Sequence, residues 1–587
     1  MRKLILSIVV FASFSSLFAI ENDKETILRA MRDEIKRSMK ELHLSSLKTP
    51  YYIEYQIVVN NPHEIKSVLG SLINSEVQKS IVLNTTIRVG NYKFDNTNFF
   101  DVGLSFFGSG DDEERFKRRQ LPIELDYETL RRELWLATDA AYKQSAEIYS
   151  KKEATLKNRI ITDTITEDFS KIIPEKNFKE REIPKFDVNY FESVSKEMSE
   201  VFLKYKDIFN SSVGIEYLPK TIYYVNSEGM EYSKTELYYG IETVAYSQAK
   251  DGMPLANHFV ALAKDIKDLP SKDSLVKGAK KCAEKLNEIL NSPKLIEAYS
   301  GPILFEGNAA GEAIAQIFAP NLVSQRSPLT ESGMQDNDRN SSFQNKIGGR
   351  VLPEFISIDD SPLTSKIGNT GLIGNYNIDD EGILTKDLIV VKDGYLKLLL
   401  NSRIPTKRLK ESNARCRGGA AIFSNLILKS KDDKKLSNSE LKSKLLKLVK
   451  DRDLPFGIII RKIINQNIMF TSLYRASNGN FEIPRNNTSL SVIEAYKIYP
   501  DGKEELVRGG LVAGITPQTF KDIVFVGNSN FTLNLLSPSV VSSFISGGDQ
   551  FIGTSITTPD ILLEDCELKA NDSDFKKLPY LSNPFVQ

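Results

Sequence analysis

A chain of 587 residues carries only three histidines and three cysteines, and neither set is clustered. His43, His63 and His258 lie far apart, each expected at a surface or loop position rather than around a shared ion. Cys282, Cys416 and Cys566 are just as dispersed and odd in number, so they supply no disulfide framework and at most one chance pair. A zinc or copper centre rich in imidazole or thiolate is not expected from such counts. An excess of either charge is missing too: 77 Lys and Arg balance 77 Asp and Glu. Without a basic surplus the chain does not read as a dedicated nucleic-acid binder, and the mixed runs 111–119 and 429–435 read as solvated loops. Beyond residue 19 no apolar run approaches the length that crosses a bilayer, so no transmembrane segment is expected. Short internal repeats and low-complexity blocks are also absent.

What is present begins at residues 1–19. Arg2 and Lys3 precede the apolar stretch Leu4 to Phe18, and Ala19 offers a small residue for cleavage, the pattern of an export signal. The stretch is short and broken by Ser13, Ser15 and Ser16, unlike a membrane anchor, and no cysteine follows it to take a lipid. The mature chain is therefore expected in the periplasm or secreted. Its length exceeds what one core usually supports, and at least two domains are expected.

Ile27, Met31, Ile35, Met39 and Leu42 step by three or four and predict an amphipathic helix over 23–42. Residues 51–59 alternate as a half-buried strand, a second strand covers 81–89, and Asn60-Asn61-Pro62 turns between strands. The segment 101–122, with Gly103, Gly108 and Gly110, reads as a mobile loop. A long helix is expected over 126–156, Leu130, Leu134, Ala137 and Ala141 on one face and Trp135, Tyr142 and Tyr149 on a neighbouring stripe that packs rather than binds. Pro174 and Pro184 mark a linker over 165–187, and 188–209 predicts another helix. Strands at 215–217, 221–225 and 236–249 follow, with Asn226-Ser227-Glu228-Gly229 as a hairpin turn. A helix over 271–290 then joins two halves. The second half is mostly strands, including a hairpin of 491–499 with 504–508 closed by Pro500-Asp501-Gly502, and one helix over 439–449. The expected class is α+β: an N-terminal α/β domain with a helical insertion over 20–265, and a C-terminal domain over 266–587 rich in antiparallel strands.

The stretch Tyr299 to Pro320, YSGPILFEGNAAGEAIAQIFAP, is the candidate functional element, a buried strand that turns into a helix at Glu306-Gly307. In a zinc hydrolase two histidines and a glutamate would sit on such a helix, because imidazoles one or two turns apart converge on one ion. Here Glu306, Gly307 and Gly311 stand in those places, with Glu312 after them. Two readings of these carboxylates are open. Glu306 and Glu312 meet a hard cation together with Asp359-Asp360 or Asp379-Asp380-Glu381; or Glu306 caps the helix start and the acidic turns bond their own backbone. No Gly-x-Ser-x-Gly elbow occurs and Cys416 has no histidine near it in sequence. Arg415 and Arg417, in a flexible basic loop over 413–419, mark a surface that binds anions.

Ile303-Leu304-Phe305-Glu306-Gly307 with its alanine-rich helix, Val351-Leu352-Pro353, Ile378-Asp379-Asp380-Glu381-Gly382, Lys392-Asp393-Gly394 and the loop 413–419 resemble the TldD/PmbA family. So do Glu494-Ala495-Tyr496 and Arg508-Gly509, and the pieces 88–98 and 131–152 look like exported members of it. The resemblance, carried by order and spacing, covers nearly the whole mature chain. It implies two domains of mixed helix and sheet that associate as dimers. In active TldD-type members a His-Glu-x-x-x-His helix and a later cysteine hold zinc and peptides are cleaved; PmbA-type members lack those ligands and act as partner subunits. Carried over, the first histidine falls on Glu306, the glutamate on Gly307 and the second histidine on Gly311. The cysteine finds no match, since Cys566 lies in a terminal strand over 561–568 expected at the sheet edge. Without metal the hydrolytic water keeps a pKa near about 15.7 instead of about 7. The resemblance thus implies a pseudoenzyme with no cofactor, a peptide-binding or partner subunit that forms a homodimer or a heterodimer with a TldD-type paralogue. An active peptidase with an oxygen-ligated or interface-shared metal, and a structural envelope protein, are the alternatives.

Overall fold

The structure is a computed structural model that describes residues 24–43, 47–100, 118–157, 166–326, 328–330, 342–465, 488–538, 551–571 and 575. The export signal and residues 101–117 of the expected loop lie outside the described residues.

The first half holds two sheets, and the chain passes back and forth between them. In the first, strand Pro50–Asn60 pairs antiparallel with Ser80–Asn91 on one side and Lys220–Asn226 on the other, and Glu231–Glu236 and Lys176–Lys179 extend it. Helices α1 (24–41) and α2 (Tyr127–Lys157) cover one face, where Ile27, Met31, Leu130 and Leu134 meet Tyr55, Ile57 and Leu83. Those are the positions that the 3.6- and two-residue periods pick out. Tyr142 and Tyr149 pack in this core, but Trp135 is 49% exposed, so the aromatic stripe splits. Arg118–Leu121, expected as loop, is a strand on Ser80–Asn91, anchored by the buried Leu121 opposite Ile81.

The second sheet is antiparallel throughout, in the order Pro254–Ala263, Tyr239–Gln248, Asn210–Tyr217, His63–Val68, Ser71–Val77. Helices α3 (Val188–Glu200) and α4 (Lys272–Asn291) cover one face with Phe191, Val194, Leu275 and Ala279 against Ile65, Ile215 and Ile241. Asp187 and Ser271 cap these helices by accepting from the N–H of Tyr190 and Ser274. The helix expected to reach residue 209 stops at Glu200, because Phe202 and Ile208 are drawn into the core under the C-terminal half of α4. His258, expected at the surface, is buried on Pro254–Ala263.

In the second half, Tyr299–Phe305 leads into helix α5 (Asn308–Ala313), and helix α6 (Asn438–Asp451) starts at a capping box of Ser437 and Glu440. The organising strand is Phe551–Ala570, which pairs with Tyr299–Phe305, Asn425–Ser430, Gly510–Ala513 and Ile523–Pro538 along its length. Tyr299–Phe305, Gly457–Ile463, Ser489–Ile498, Gly510–Ala513 and the end of that strand hydrogen-bond in a closed ring. One face of the ring carries Ile303, Phe305, Ile458, Ile460 and Leu563; on the other, Leu441, Leu445 and Val449 of α6 cover Leu304, Ile459 and Leu562. Cys566 is therefore in a central strand, with Gly301 opposite on one side and Gly510–Ala513 along the other, not at a sheet edge. The class is α+β with a C-terminal half dominated by antiparallel strands. No helix among the described residues is long and apolar enough to cross a membrane.

Candidate functional site

The strand-to-helix turn forms where the sequence placed it. Gly307 makes it with φ +50° and ψ −110°, a conformation that any side chain would strain. Helix α5 then widens into a π turn at Ile314–Phe318 and closes in a 3-10 turn, Ala319–Leu322. Just before α5, Asp560 of the long strand accepts at Oδ1 from the Gly307 N–H at 2.7 Å. Glu306 does not cap the helix. It accepts from Arg461 Nε at 2.7 Å and from Asn438 Nδ2 at 2.8 Å, and Arg461 also binds Glu504 at 2.7 Å. The reason lies in register: Phe305 pairs with Ile460, so the next residues, Glu306 and Arg461, emerge side by side.

Glu312 is almost completely buried and accepts from Gln316 Nε2 and Asn465 Nδ2, both at 2.9 Å. Burial holds its carboxyl above the ordinary range. The two candidates share no partner, so the structure does not gather them. In front of Gly311 an added Cβ would lie 3.0 Å from Leu533 Cδ2 and 3.1 Å from its Cβ. That space is already filled.

The acidic segments do not converge on α5 either. Asp359 and Asp360 end a strand, Ile356–Asp360, rather than forming a turn. Asp360 is fully buried in an ion pair with Arg415 and accepts from the Ser424 N–H at 2.8 Å. Arg415 and Arg417 are buried, 0% and 7% exposed, so the loop is not the exposed surface expected; Asp360 and several backbone carbonyls consume the Arg415 guanidinium, while Arg417 lines a cavity against the second sheet. Asp379 does bond its own turn, accepting from the N–H of Ile383 at 2.9 Å and of Glu381 at 3.1 Å. Burial raises Asp379 and Glu381 above the ordinary carboxylate range, with the charge of Asp380 adding to the first and that of Asp379 to the second. Cys416 lies against this pair, its thiol pushed up by burial and by Glu381. Among the described residues no group of three or more His, Cys, Asp or Glu side chains is placed to hold a metal ion.

A second feature was not anticipated. Opposite its helix-covered face, the second sheet turns Glu64, Lys66, Gly214, Glu216, Gly240 and Glu242 into a cavity of about 880 Å³, closed on the other side by Ile373, Leu536 and Ile552 of the second half. Two identical tripeptides, Gly214-Ile215-Glu216 and Gly240-Ile241-Glu242, pair antiparallel, so each glutamate faces a glycine and the isoleucines meet on the apolar face. Glu64 pairs directly with Glu216. Glu216 is exposed to the cavity, and partial desolvation by the surrounding walls, with the charge of Glu64, holds its carboxyl above the usual range. Beyond this row lies a basic end. Lys220 binds Glu236 at 3.2 Å, and Lys234 binds both Glu236 and Asp380 at 3.1 Å. Lys264 is pushed down to about 7 by burial and by Arg417. The two Gly-Ile-Glu tripeptides are too short to stand out as a repeat in the sequence, and only the register shows that they share a face.

Comparison with known proteins bears on both features. Residues 299–570 match the model of the PmbA/TldA metallopeptidase C-terminal domain. Metalloprotease MJ0996 of Methanocaldococcus jannaschii is 27% identical over 291 residues, 46% of this chain and 54% of that protein, so the chain spans about half the length of this curated relative. TldE from Thermococcus kodakarensis shares the fold at 14% identity and a TM-score of 0.53, over 92% of this chain and 99% of that one. TM0727 of Thermotoga maritima does so at 15% identity and a TM-score of 0.54, over 88% and 96%.

Proposed function

This chain belongs to the TldD/PmbA family, and on that premise we propose that it is an exported metallopeptidase homologue without the zinc centre, acting as a peptide-binding or partner subunit. The observation that carries the reading is the state of the three positions on which the family's first histidine, glutamate and second histidine fall. Glu306 is committed to Arg461 and Asn438. Gly307 brings no donor and has a backbone that rejects a glutamate side chain. Gly311 brings none either, and Leu533 fills the space before it. These residues do not fit zinc, and no hydrolytic step is drawn through it. An oxygen-ligated ion is no better served, since Asp360 is spent on Arg415 and Asp380 on Lys234.

Elemental analysis of the purified chain tests this: no stoichiometric transition metal and no cleavage of unfolded peptides are expected. One equivalent of metal that survives dialysis and is lost in Glu306→Ala would restore the peptidase reading. The export arm rests on residues 1–19; N-terminal sequencing of the native protein from outside the cytoplasm is expected to begin near residue 20, and an intact Met1 there would remove it. The subunit arm, a homodimer or a pair with a TldD-type paralogue, is read by light scattering of the chain alone and mixed with such a paralogue.

A further inference from the structure

We propose that the cavity between the halves is a receptor for a short peptide with free ends, its amino group held at Glu64, Glu216 and Glu242 and its carboxylate directed to Lys264 and Arg417. The inference rests on the peptide-binding reading above and gives it a place and an orientation.

A sheet with one face covered by helices normally leaves the other to bulk water. Here that other face is polar and looks across a cavity at the second half of the chain, with Glu64 and Glu216 still open to solvent. Like charges directly across an antiparallel pair destabilise it, and Glu64 with Glu216 is such a pair. Neither makes an ion pair with any described residue, and Lys66 on the same face stands opposite Gly214 rather than a carboxylate. The fold carries this repulsion without a structural return, and a ligand ammonium between the carboxylates removes it. Glycine in mid-strand weakens a sheet and marks a close approach. At Gly214, opposite Glu242, an added Cβ meets nothing within 4 Å, so the floor is open there, whereas at Gly240, beside Glu216, it would lie 2.9 Å from the Tyr238 hydroxyl.

The opposite end has the opposite sign, with Lys220, Lys234, Lys264 and Arg417 set against Glu236 and Asp380. Gly240, beside Glu216, pairs with Leu262, and Lys264 follows two residues later. Two strand spacings and the rise of two residues separate the Glu216 and Lys264 backbones by roughly 12 Å, the reach of an extended tri- or tetrapeptide. A ligand with one charge would satisfy only half of this layout.

The test is calorimetric titration of the full chain with trialanine, N-acetyl-trialanine and trialanine amide. Trialanine is expected to bind, and acetylation or the pair Glu64→Gln and Glu216→Gln to weaken it at least tenfold, the two effects not adding because they remove the same contact. Amidation is expected to weaken it independently. Gly214→Val puts a strand-favouring side chain into open space, so it should keep the unfolding temperature and abolish binding. Trialanine bound equally by wild type and Gly214→Val, or equally after acetylation, overturns the site. If a denatured casein fragment still binds while trialanine does not, the inference fails and the peptide-binding reading stands. If neither binds, both fail.

Discussion

Gly311→His restores a histidine at the position where active family members have their second zinc ligand, and it is expected to damage the fold rather than repair a site. A Cβ there already sits 3.0 Å from Leu533 Cδ2, closer than ordinary van der Waals contact, before the imidazole is added. Leu533 cannot retreat far, because its strand, Ile523–Pro538, is locked in register with Phe551–Ala570, Leu533 opposite Ile556. Overpacking of this kind costs about 1–3 kcal/mol. Losing glycine from a helix returns only roughly 0.3 kcal/mol. Leu533→Ala alone gives up the contacts of a half-buried leucine, about 1 kcal/mol. In the double variant the imidazole occupies the space that the leucine leaves, so the two losses should fall short of their sum by at least about 1 kcal/mol, a coupling well above the noise for residues in contact. Calorimetric unfolding of wild type, both single variants and the double variant closes the cycle. Additive losses, or a Gly311→His chain as stable as wild type, would mean the space before α5 is open, and the case against zinc would lose its steric half.

Two other outcomes follow from groups buried at a distance from α5. Arg415→Ala strands Asp360 as a buried charge held only by Ser424, a change worth about 3–5 kcal/mol, whereas replacing both partners by Arg415→Met and Asp360→Asn should cost clearly less; equal losses would refute the ion-pair account. Lys264 is held down to about 7 from an ordinary value of 10.5, so between those pH values the unfolded chain binds a proton that the folded chain does not, and its contribution to stability rises with pH. Relative to Lys264→Met, wild type should therefore gain up to about 1.4 kcal/mol per pH unit between pH 7 and 10, and a constant difference across that range would contradict the buried, partly neutral amine.

The sequence disclosed those parts of the fold whose periodicity is local. Helices α2, α4 and α6, the hairpin turn at Asn226–Gly229 and the strand-to-helix turn at Gly307 were legible because apolar spacing and glycine act within a few residues. Strands His63–Val68 and Pro254–Ala263 were not, since polar residues stand at inward positions, His63 and Ser67 in the first and Asn257 and His258 in the second, and dilute the apolar alternation. The basic loop and the Asp359-Asp360 pair were misread for a related reason. Composition marks a charged residue as solvated, and only tertiary pairing reveals that Arg415 and Asp360 neutralise each other in the interior. The helix-cap reading of Glu306 rested on proximity along the chain, but the competing guanidinium comes from a residue 155 positions away.

The relative placement of the two halves is over-determined, and this gives the cavity its significance. Phe169, in the segment expected to be a plain linker, lies between two guanidinium groups, Arg88 of the first half at 3.6 Å and Arg403 of the second at 3.7 Å from its ring centre. Arg403 is fully buried and donates to the Ser170 carbonyl at 2.6 Å and to Glu228 at 2.8 Å, while Arg326 reaches back to Asp168 and to the Glu167 carbonyl at 2.8 Å. Removing such ions from water costs several kcal/mol each and is offset only in good geometry, so sliding one half against the other would strand charges at once. A cavity bounded by parts locked in this way keeps its shape without a ligand, and a preformed site is one that binds without first ordering its walls. A chain that served only to fill a place in an envelope would not need Glu64 and Glu216 paired across two strands on the floor of that cavity. A receptor would, because the unrelieved repulsion there is energy that an arriving ammonium releases on binding.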